Sequence, residues 1–453
     1  MTLLPAGPSA PAATPGWPVP RPSAARWSAV AGVVRTAMAA AGTDAGKPAP
    51  TGPGAGATSG GPGGRPGRGR LGLVLGAAAV AAAVLAGVLA IAGRGDPEVP
   101  VVSVADFGAV GDGVSDDGTA LQQALDAVPP GGTLALRDGA TYLYSQVLTV
   151  STPDLTIEGT GATLLASDET ASALKVVADG VTVTGLTLTT PTTTQRRDPF
   201  ESTMVWVAAD SAVLRDVHVL GAGGAGIAVT DGAGDFLLDH VTVTGSRADG
   251  IHITDRAHDG RVLSPVTTGT GDDGVAVVSY LKDGGPAERI TIESPTVDGT
   301  TWGRGVSVVG GNDITYRDVS VHDTDAAGIY LGSEGDPYFT YPSVDVLVDG
   351  GTVTGANTNA GKDHGAVLVY AGNAGTTTSD VTVRGLTISG TRTSSPWDVG
   401  VLADPGAAVE RVTLEGFRMS DGAAAPFYTD EPAAVRVTGV EDDGAAVPDQ
   451  GGW

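Results

Sequence analysis

The chain has 453 residues, no cysteine, 69 glycines and a net charge of −25 at pH 7. The missing cysteines exclude disulfides and thiolate metal sites, and the acidity argues against nucleic acid as a partner. Charge is unevenly placed, since 50 acidic and only 18 basic residues follow Arg94, a net of −32. Residues 1–70 are rich in Pro, Ala, Gly and Ser without sustained apolar periodicity, so a disordered cytoplasmic segment is expected there. Leu71 to Gly93 is a run of 23 residues without a charge. As a helix it is about 34 Å long, enough for a hydrocarbon core of about 30 Å. Seven basic residues and one acid precede it, which predicts one transmembrane helix with the N-terminus inside and the rest of the chain outside. The competing reading is a signal peptide cleaved near Ala92, where Ala90-Ile91-Ala92 offers small residues. Both put residues 97–445 beyond the membrane.

In residues 101–150, Asp116 or Asp117 can cap a short helix whose Leu121, Ala124, Leu125 and Val128 share one face. Such a helix suits the cap over the first coil of a solenoid. The solenoid shows in seven glycines, each followed by apolar residues one and three places later: Gly226, Gly250, Gly274, Gly305, Gly328, Gly365 and Gly400. Period-two alternation within each unit indicates strands, with a second strand between successive glycines, as in DVHV at 216–219 and DVSVHD at 318–323. Two or three short strands per turn describe a parallel β-helix, an all-β solenoid.

Stacking these units in register makes ladders of equivalent residues about 4.8 Å apart. The position before the glycine reads Ala225, Asp249, Asp273, Arg304, Ala327, His364, Val399, and the one before that includes Asp272 and Gly303. Two places after the glycine, where side chains are expected to point outward, the ladder reads Ala228, His252, Ala276, Ser307, Tyr330, Val367, Leu402. The polar residues therefore gather on neighbouring coils of one face. Three acids in two coils push one another's pKa values apart, as acid–base catalysis requires, although Asp and Gly also favour plain turns. A loop at 333–341 leaves the coil just after this group, and Tyr338, Phe339 and Tyr341, with Trp302, are placed to stack on sugar rings or to pack on the scaffold.

The stretch D-F-G-A-V-G-D-G-V-S-D-D at 106–117, with the repeats, closely resembles the pectate-lyase-like superfamily of single-stranded right-handed parallel β-helices, and the polygalacturonases (glycoside hydrolase family 28) within it. In that pattern Gly271-Asp272-Asp273 is intact, Arg247-Ala248-Asp249-Gly250 keeps only its aspartate and glycine, and Gly303-Arg304-Gly305 carries arginine for histidine. The fourth element is Tyr330-Leu331-Gly332, without the basic pair that grips a uronate. The resemblance implies an inverting glycoside hydrolase, with Asp272 as general acid and Asp249 and Asp273 activating water. The two carboxyl groups that flank the bond are then expected about 6.5–9.5 Å apart. The missing pair and the acidic chain point to a neutral polysaccharide as substrate. His252, Arg304, Tyr330, Trp302, Tyr338 and His364 are the candidate substrate contacts; His252 and His364 also fit plain surface histidines. No cofactor and no metal are implied, and a monomer is expected. The alternatives are a Ca²⁺-dependent lyase or epimerase acting on a uronate polymer, and a non-catalytic glycan-binding β-helix.

Overall fold

The computed structural model describes residues 99–451. The segments expected to be disordered (1–70) and membrane-spanning (71–93) lie outside them, and no helix among the described residues is long and apolar enough to cross a membrane. The described chain is a parallel β-solenoid, and each typical coil contributes three strands. One coil runs through Leu237–Asp239, Thr242–Ser246 and Ile251–Ile253. The first two strands of successive coils belong to one continuous bent sheet, and the third to a separate sheet of eleven strands, from Leu148–Val150 to Phe427–Thr429. The bend between the first two strands is made by a residue in the left-handed region: Asp216, His240, Ser264, Ser294 and Asp318 on successive coils. Short polar side chains tolerate that conformation, which lets Gly311–His322 continue through its bend as one strand.

Inside, Val243, Val297, Val321 and Val353 of the bent sheet are fully buried. A Cβ on Gly226 would approach Val243 to 2.3 Å, and one on Gly305 or Gly328 would meet Val321 or Val353 at 2.4 and 2.3 Å. The recurring glycine is thus the place where a buried valine of the bent sheet and the carbonyl of the next coil leave no room for a side chain.

The helix α1 (Gly118–Ala127) covers the first coil and buries Leu121, Ala124, Leu125 and Val128, as expected. Both candidate aspartates stand at its start and divide the capping between them. Asp117 stands at the N-cap, but its carboxylate turns back to accept the N–H of Val110 (2.6 Å) and Gly111 (3.0 Å), while Asp116 accepts that of Gly118 (2.9 Å). From α1, Gln122 accepts the N–H of Thr149 (2.8 Å) and donates to its carbonyl (2.9 Å). The side chain thereby closes the edge of the eleven-stranded sheet that would otherwise offer unpaired backbone.

The glycine register holds from Gly226 to Gly328 and then slips. Ile329 pairs with Val367 and Val367 with Val399, so Ala366 and Asp398 occupy the glycine slot. Gly365 has φ +68° and belongs to a turn rather than a rung. Gly400 lies two places further on, opposite Leu368 and beneath Trp397. The outward ladder therefore ends Tyr330, Leu368, Gly400, and His364 falls one place short of the Arg304 slot. The cause is Asn357, fully buried, whose Oδ1 accepts the N–H of both His364 (3.1 Å) and Gly365 (3.0 Å) and the hydroxyl of Ser395 (3.2 Å). Asn357→Leu removes that acceptor and leaves buried donors unpaired, at a cost of about 3 kcal/mol. The expected outcome is a lower chemical-denaturation midpoint; an unchanged midpoint would show that the slip does not depend on Asn357.

Candidate active site

Asp249, Asp273 and Arg304 occupy one slot on three successive coils, as the register predicts. The backbone N–H of Gly226 donates to the Asp249 carbonyl (3.0 Å), that of Gly250 to Asp273 (2.8 Å) and that of Gly274 to Arg304 (3.0 Å). The side chains repeat the ladder: Asp249 Oδ1 accepts the N–H of Asp273 (3.0 Å), and Asp273 Oδ1 accepts that of Arg304 (2.7 Å). Asp272 sits beside Asp273, and the nearest oxygens of the three acids lie within 4.8 Å of one another. That is tighter than the separation expected for inversion, because all three side chains start from neighbouring rungs one coil rise apart; the spacing alone does not select inversion.

Each acid has a different environment. His252 Nδ1 donates to Asp249 Oδ2 at 2.5 Å; since a carboxylate only accepts, that nitrogen carries the proton. Burial pushes Asp249 up, but the hydrogen bond and charge of His252, with Arg196, outweigh it and bring the carboxyl below its ordinary value. Asp273 Oδ2 accepts the hydroxyl of Ser307 at 2.5 Å and the Arg304 guanidinium at 3.3 Å. Burial nonetheless pushes Asp273 up to about 7, against Arg304 and with help from the charges of Asp272 and Asp249. Asp272 is raised by burial and by Asp249, against Arg196 and Arg304. Its Oδ2 pairs with Arg196 Nη1 at 2.5 Å, while Oδ1 is buried without a hydrogen bond. A Cβ on Gly303 would come within 2.5 Å of that oxygen, so glycine at 303 is what lets the next coil pack against the acid. Two guanidinium groups thus meet part of the charge of the cluster.

Two loops flank the acids. One, residues 191–203, brings Arg196, which the sequence reading missed; the only signal was the Arg196-Arg197 pair in a long interval between strands. The other, residues 333–341, is tied to the neighbouring coil by Leu281 N–H to the Phe339 carbonyl and Tyr341 N–H to the Ser279 carbonyl, both 2.8 Å. Its Glu334 pairs with Arg304, whose guanidinium also lies 4.2 Å above the Tyr330 ring. Tyr330 is consequently 2% exposed and supports Arg304 instead of facing the groove, contrary to the expected substrate contact. Tyr338 is partly exposed, and its hydroxyl is raised by burial and by the charges of Glu334 and Asp272, which places it beside the acids. Tyr280, also missed, lies within reach of the same charges. Trp302 is 45% exposed, with Lys362 Nζ 4.6 Å from its ring centre, and Phe339 is 48% exposed. His364 is partly buried, its ring 6.1 Å from that of Tyr330, and burial with Arg304 and Lys362 holds it down to about 3.

The outward ladder also extends further back than the glycines show. Trp206 pairs with Ala228, and Lys175 with Trp206. Lys175 Nζ lies 3.6 Å over the Trp206 ring, and Phe200 bridges Trp206 (5.4 Å) and His252 (6.5 Å). These coils were invisible because Met204 and Ala173 stand where glycine does later.

Because the folded-state value of Asp273 is raised, the native protein binds more protons than the unfolded chain between about 3.8 and about 7. Its contribution is most favourable below that window and is lost as pH rises through it. Wild-type stability is expected to fall across this range and to fall less in Asp273→Asn, as read from denaturation midpoints at pH 4 to 8. Equal slopes in the two proteins would contradict the assignment.

Residues 101–330 match the family described as Rhamnogalacturonase A/epimerase, pectate lyase-like. Among curated proteins, none matches the chain in sequence. Of solved structures, the chain is similar to the mannuronan C-5 epimerase AlgE4 A-module of Azotobacter vinelandii, with 20% identity over 74% of this chain and 100% of the other, at a TM-score of 0.51. It is similar to the catalytic unit of a GH87 α-1,3-glucanase from Streptomyces thermodiastaticus, with 20% identity over 79% and 70% and a TM-score of 0.53. It is also similar to an exopolygalacturonase from Thermotoga maritima, with 12% identity over 80% and 97% and a TM-score of 0.55. At these identities the structural likeness establishes the fold.

Proposed function

The chain belongs to the rhamnogalacturonase A/epimerase, pectate lyase-like family, and from that footing we propose that it is a glycoside hydrolase cleaving a polysaccharide outside the cytoplasmic membrane. The observation that carries the reading is the division of labour among the three acids. Asp249 is held as a carboxylate by His252, whereas Asp272 and Asp273 are both pushed toward the protonated form. A site with one charged and one protonated carboxyl at the same pH can withdraw a proton and deliver one in the same step. Asp272 is the better donor. Three donors engage the two oxygens of Asp273, so a proton there would displace one of them, while Asp272 has a single ionic partner.

In the proposed step Asp272 protonates the glycosidic oxygen as the bond to the anomeric carbon breaks, and Asp249 takes a proton from the attacking water. Asp273, fixed by Arg304 and Ser307, orients that water. Hydrogen bonds to every oxygen of Asp249 and Asp273 blunt both as nucleophiles, which supports direct attack by water and inversion despite the close spacing. A neutral glycan is the proposed substrate, because Arg304 is committed to Asp273 and Glu334 and Tyr330-Leu331-Gly332 stands where the family pattern has the basic pair that grips a uronate. The apolar run and upstream basic residues of the N-terminal part support anchoring by one helix with the solenoid outside. A second reading, lyase or epimerase chemistry on a uronate polymer, draws support from Lys175, a cation in the outward ladder with a ring contact and no ion pair among the described residues.

A panel of α-1,3-glucan, polygalacturonate, mannuronan and neutral plant glycans, assayed for reducing ends and for unsaturated products, decides between them. The expected result is new reducing ends from a neutral polymer, no unsaturated product and no loss of rate in chelator. Asp272→Asn is expected to lower kcat about a hundred- to ten-thousand-fold with KM little changed. Unsaturated uronate products that vanish in chelator would replace the first reading by the second. Wild-type turnover in Asp272→Asn would show that the acids are structural.

A further inference from the structure

We infer that Arg196 is a positioning residue: moored over the site through Arg247, it covers the groove-facing oxygen of Asp272 in the empty groove and has to be displaced before Asp272 acts as an acid. The inference rests on the reading of Asp272 as the proton donor.

The geometry starts from the two oxygens of Asp272. Oδ1 is buried against Gly303, so the oxygen reached from the groove is Oδ2, and that is the one Arg196 covers at 2.5 Å. A glycosidic oxygen cannot approach Oδ2 while the guanidinium is there. The arginine is built to leave. Its side chain is 46% exposed, its second partner is the exposed Asp198 at 3.7 Å, and Asp249 attracts it by charge without an ion-pair contact among the described residues. Arg304 differs: at 16% exposure it is fixed between Asp273, Glu334 and the ring of Tyr330.

The mooring explains a departure from the family pattern. Arg247 stands two places before Asp249, where the polygalacturonase-like motif has another residue. Its Nε donates to Thr193 Oγ1 (2.8 Å) and its Nη2 to the Thr193 carbonyl (2.6 Å). Next along the same loop, Thr194 donates to Glu169 through its N–H (2.7 Å) and its hydroxyl (2.5 Å), and Arg197 pairs with Glu169 at 2.7 Å. The loop is thus held on both sides of Arg196 while the arginine itself stays half exposed. The residue that departs from the pattern two places before Asp249 supplies an anchor for the loop that covers Asp272.

Asp272 is faced from the sheet by Asp249 with His252, by Asp273 and by Arg304. From the loop 191–203 it is faced by Arg196 with Asp198, from the segment after Val278 by Tyr280, and from the loop 333–341 by Glu334 and Tyr338. Of the cations, Arg304 is shared between Asp273 and Glu334, which leaves Arg196 to set the state of Asp272. When substrate displaces the guanidinium, Oδ2 of Asp272, carrying a proton supplied by hydronium from the bulk solvent, faces the glycosidic oxygen. It passes that proton to the glycosidic oxygen as the bond to the anomeric carbon breaks, while the attacking water gives its proton to Asp249.

The test is a ¹³C-carboxyl NMR titration of the substrate-free protein, with the Asp272 signal identified by its loss in Asp272→Asn. Arg196→Met is expected to raise the Asp272 midpoint by about one pH unit or more, Arg247→Ala to raise it by less, and Arg196→Lys to restore most of the wild-type value. An unmoved midpoint in Arg196→Met overturns the role of Arg196, and an unmoved midpoint in Arg247→Ala overturns the mooring. On the polysaccharide cleaved in the panel, Arg196→Met is expected to shift the alkaline limb of kcat/KM upward and to leave that of kcat in place. Equal shifts in both limbs would mean that the guanidinium stays during turnover and would contradict displacement. The titration needs no substrate, so it can fail while Asp272→Asn still abolishes turnover, which separates this inference from the function on which it rests.

Discussion

The site depends on one repeated hydrogen bond, in which the carboxylate on one coil accepts the backbone N–H of the residue in the same slot on the next. Asp249 does this to Asp273 at 3.0 Å, and Asp273 to Arg304 at 2.7 Å. A parallel stack already brings equivalent residues within one coil rise, but it leaves side chains free to turn. These two bonds fix the carboxylates along the stacking axis. Each acid is thereby both a rung of the scaffold and a member of the reactive cluster, and a slip of one residue would dismantle both roles.

Three buried carboxyl groups within 4.8 Å are expensive unless their charge is met. The protein meets it unequally: His252 and the Asp273 N–H serve Asp249, Arg304 and Ser307 serve Asp273, and Arg196 alone serves Asp272. Glu334 then balances Arg304 from the second loop, and Tyr330 supports the guanidinium from below. The inequality separates the protonation states. A symmetrical arrangement would have stabilised three equal carboxylates and left no acid.

Much of this was legible in the sequence where the residues obey the repeat. Gly226 to Gly328 are placed by a close approach of buried side chains and the next coil's carbonyl that excludes any Cβ, so their spacing reports the register directly, and with it Asp249, Asp272, Asp273 and Arg304. Gly365 and Gly400 mimic the pattern for other reasons, a left-handed turn and a contact beneath Trp397, and they misplaced His364 by one position. The coils before Gly226 carry Ala173 and Met204 in the slot and could not be counted. Arg196 was beyond reach, because a loop between strands has no register and its partner lies 76 positions away. Tyr330 was placed on the correct rung but given the wrong task, since its cover is supplied by loop residues that a one-coil view omits.

The central claim is that a charged base and a protonated acid coexist in this cluster at the working pH. The pH dependence of kcat/KM for the wild-type protein on the polysaccharide it cleaves tests that claim most directly. Because Asp249 lies below the ordinary carboxylate range and Asp272 above it, the rate should persist well into acid solution and decline on the alkaline side as Asp272 loses its proton. A rate that climbs through neutrality and keeps climbing into alkaline solution would mark base-driven chemistry with no protonated carboxyl, and would contradict the account.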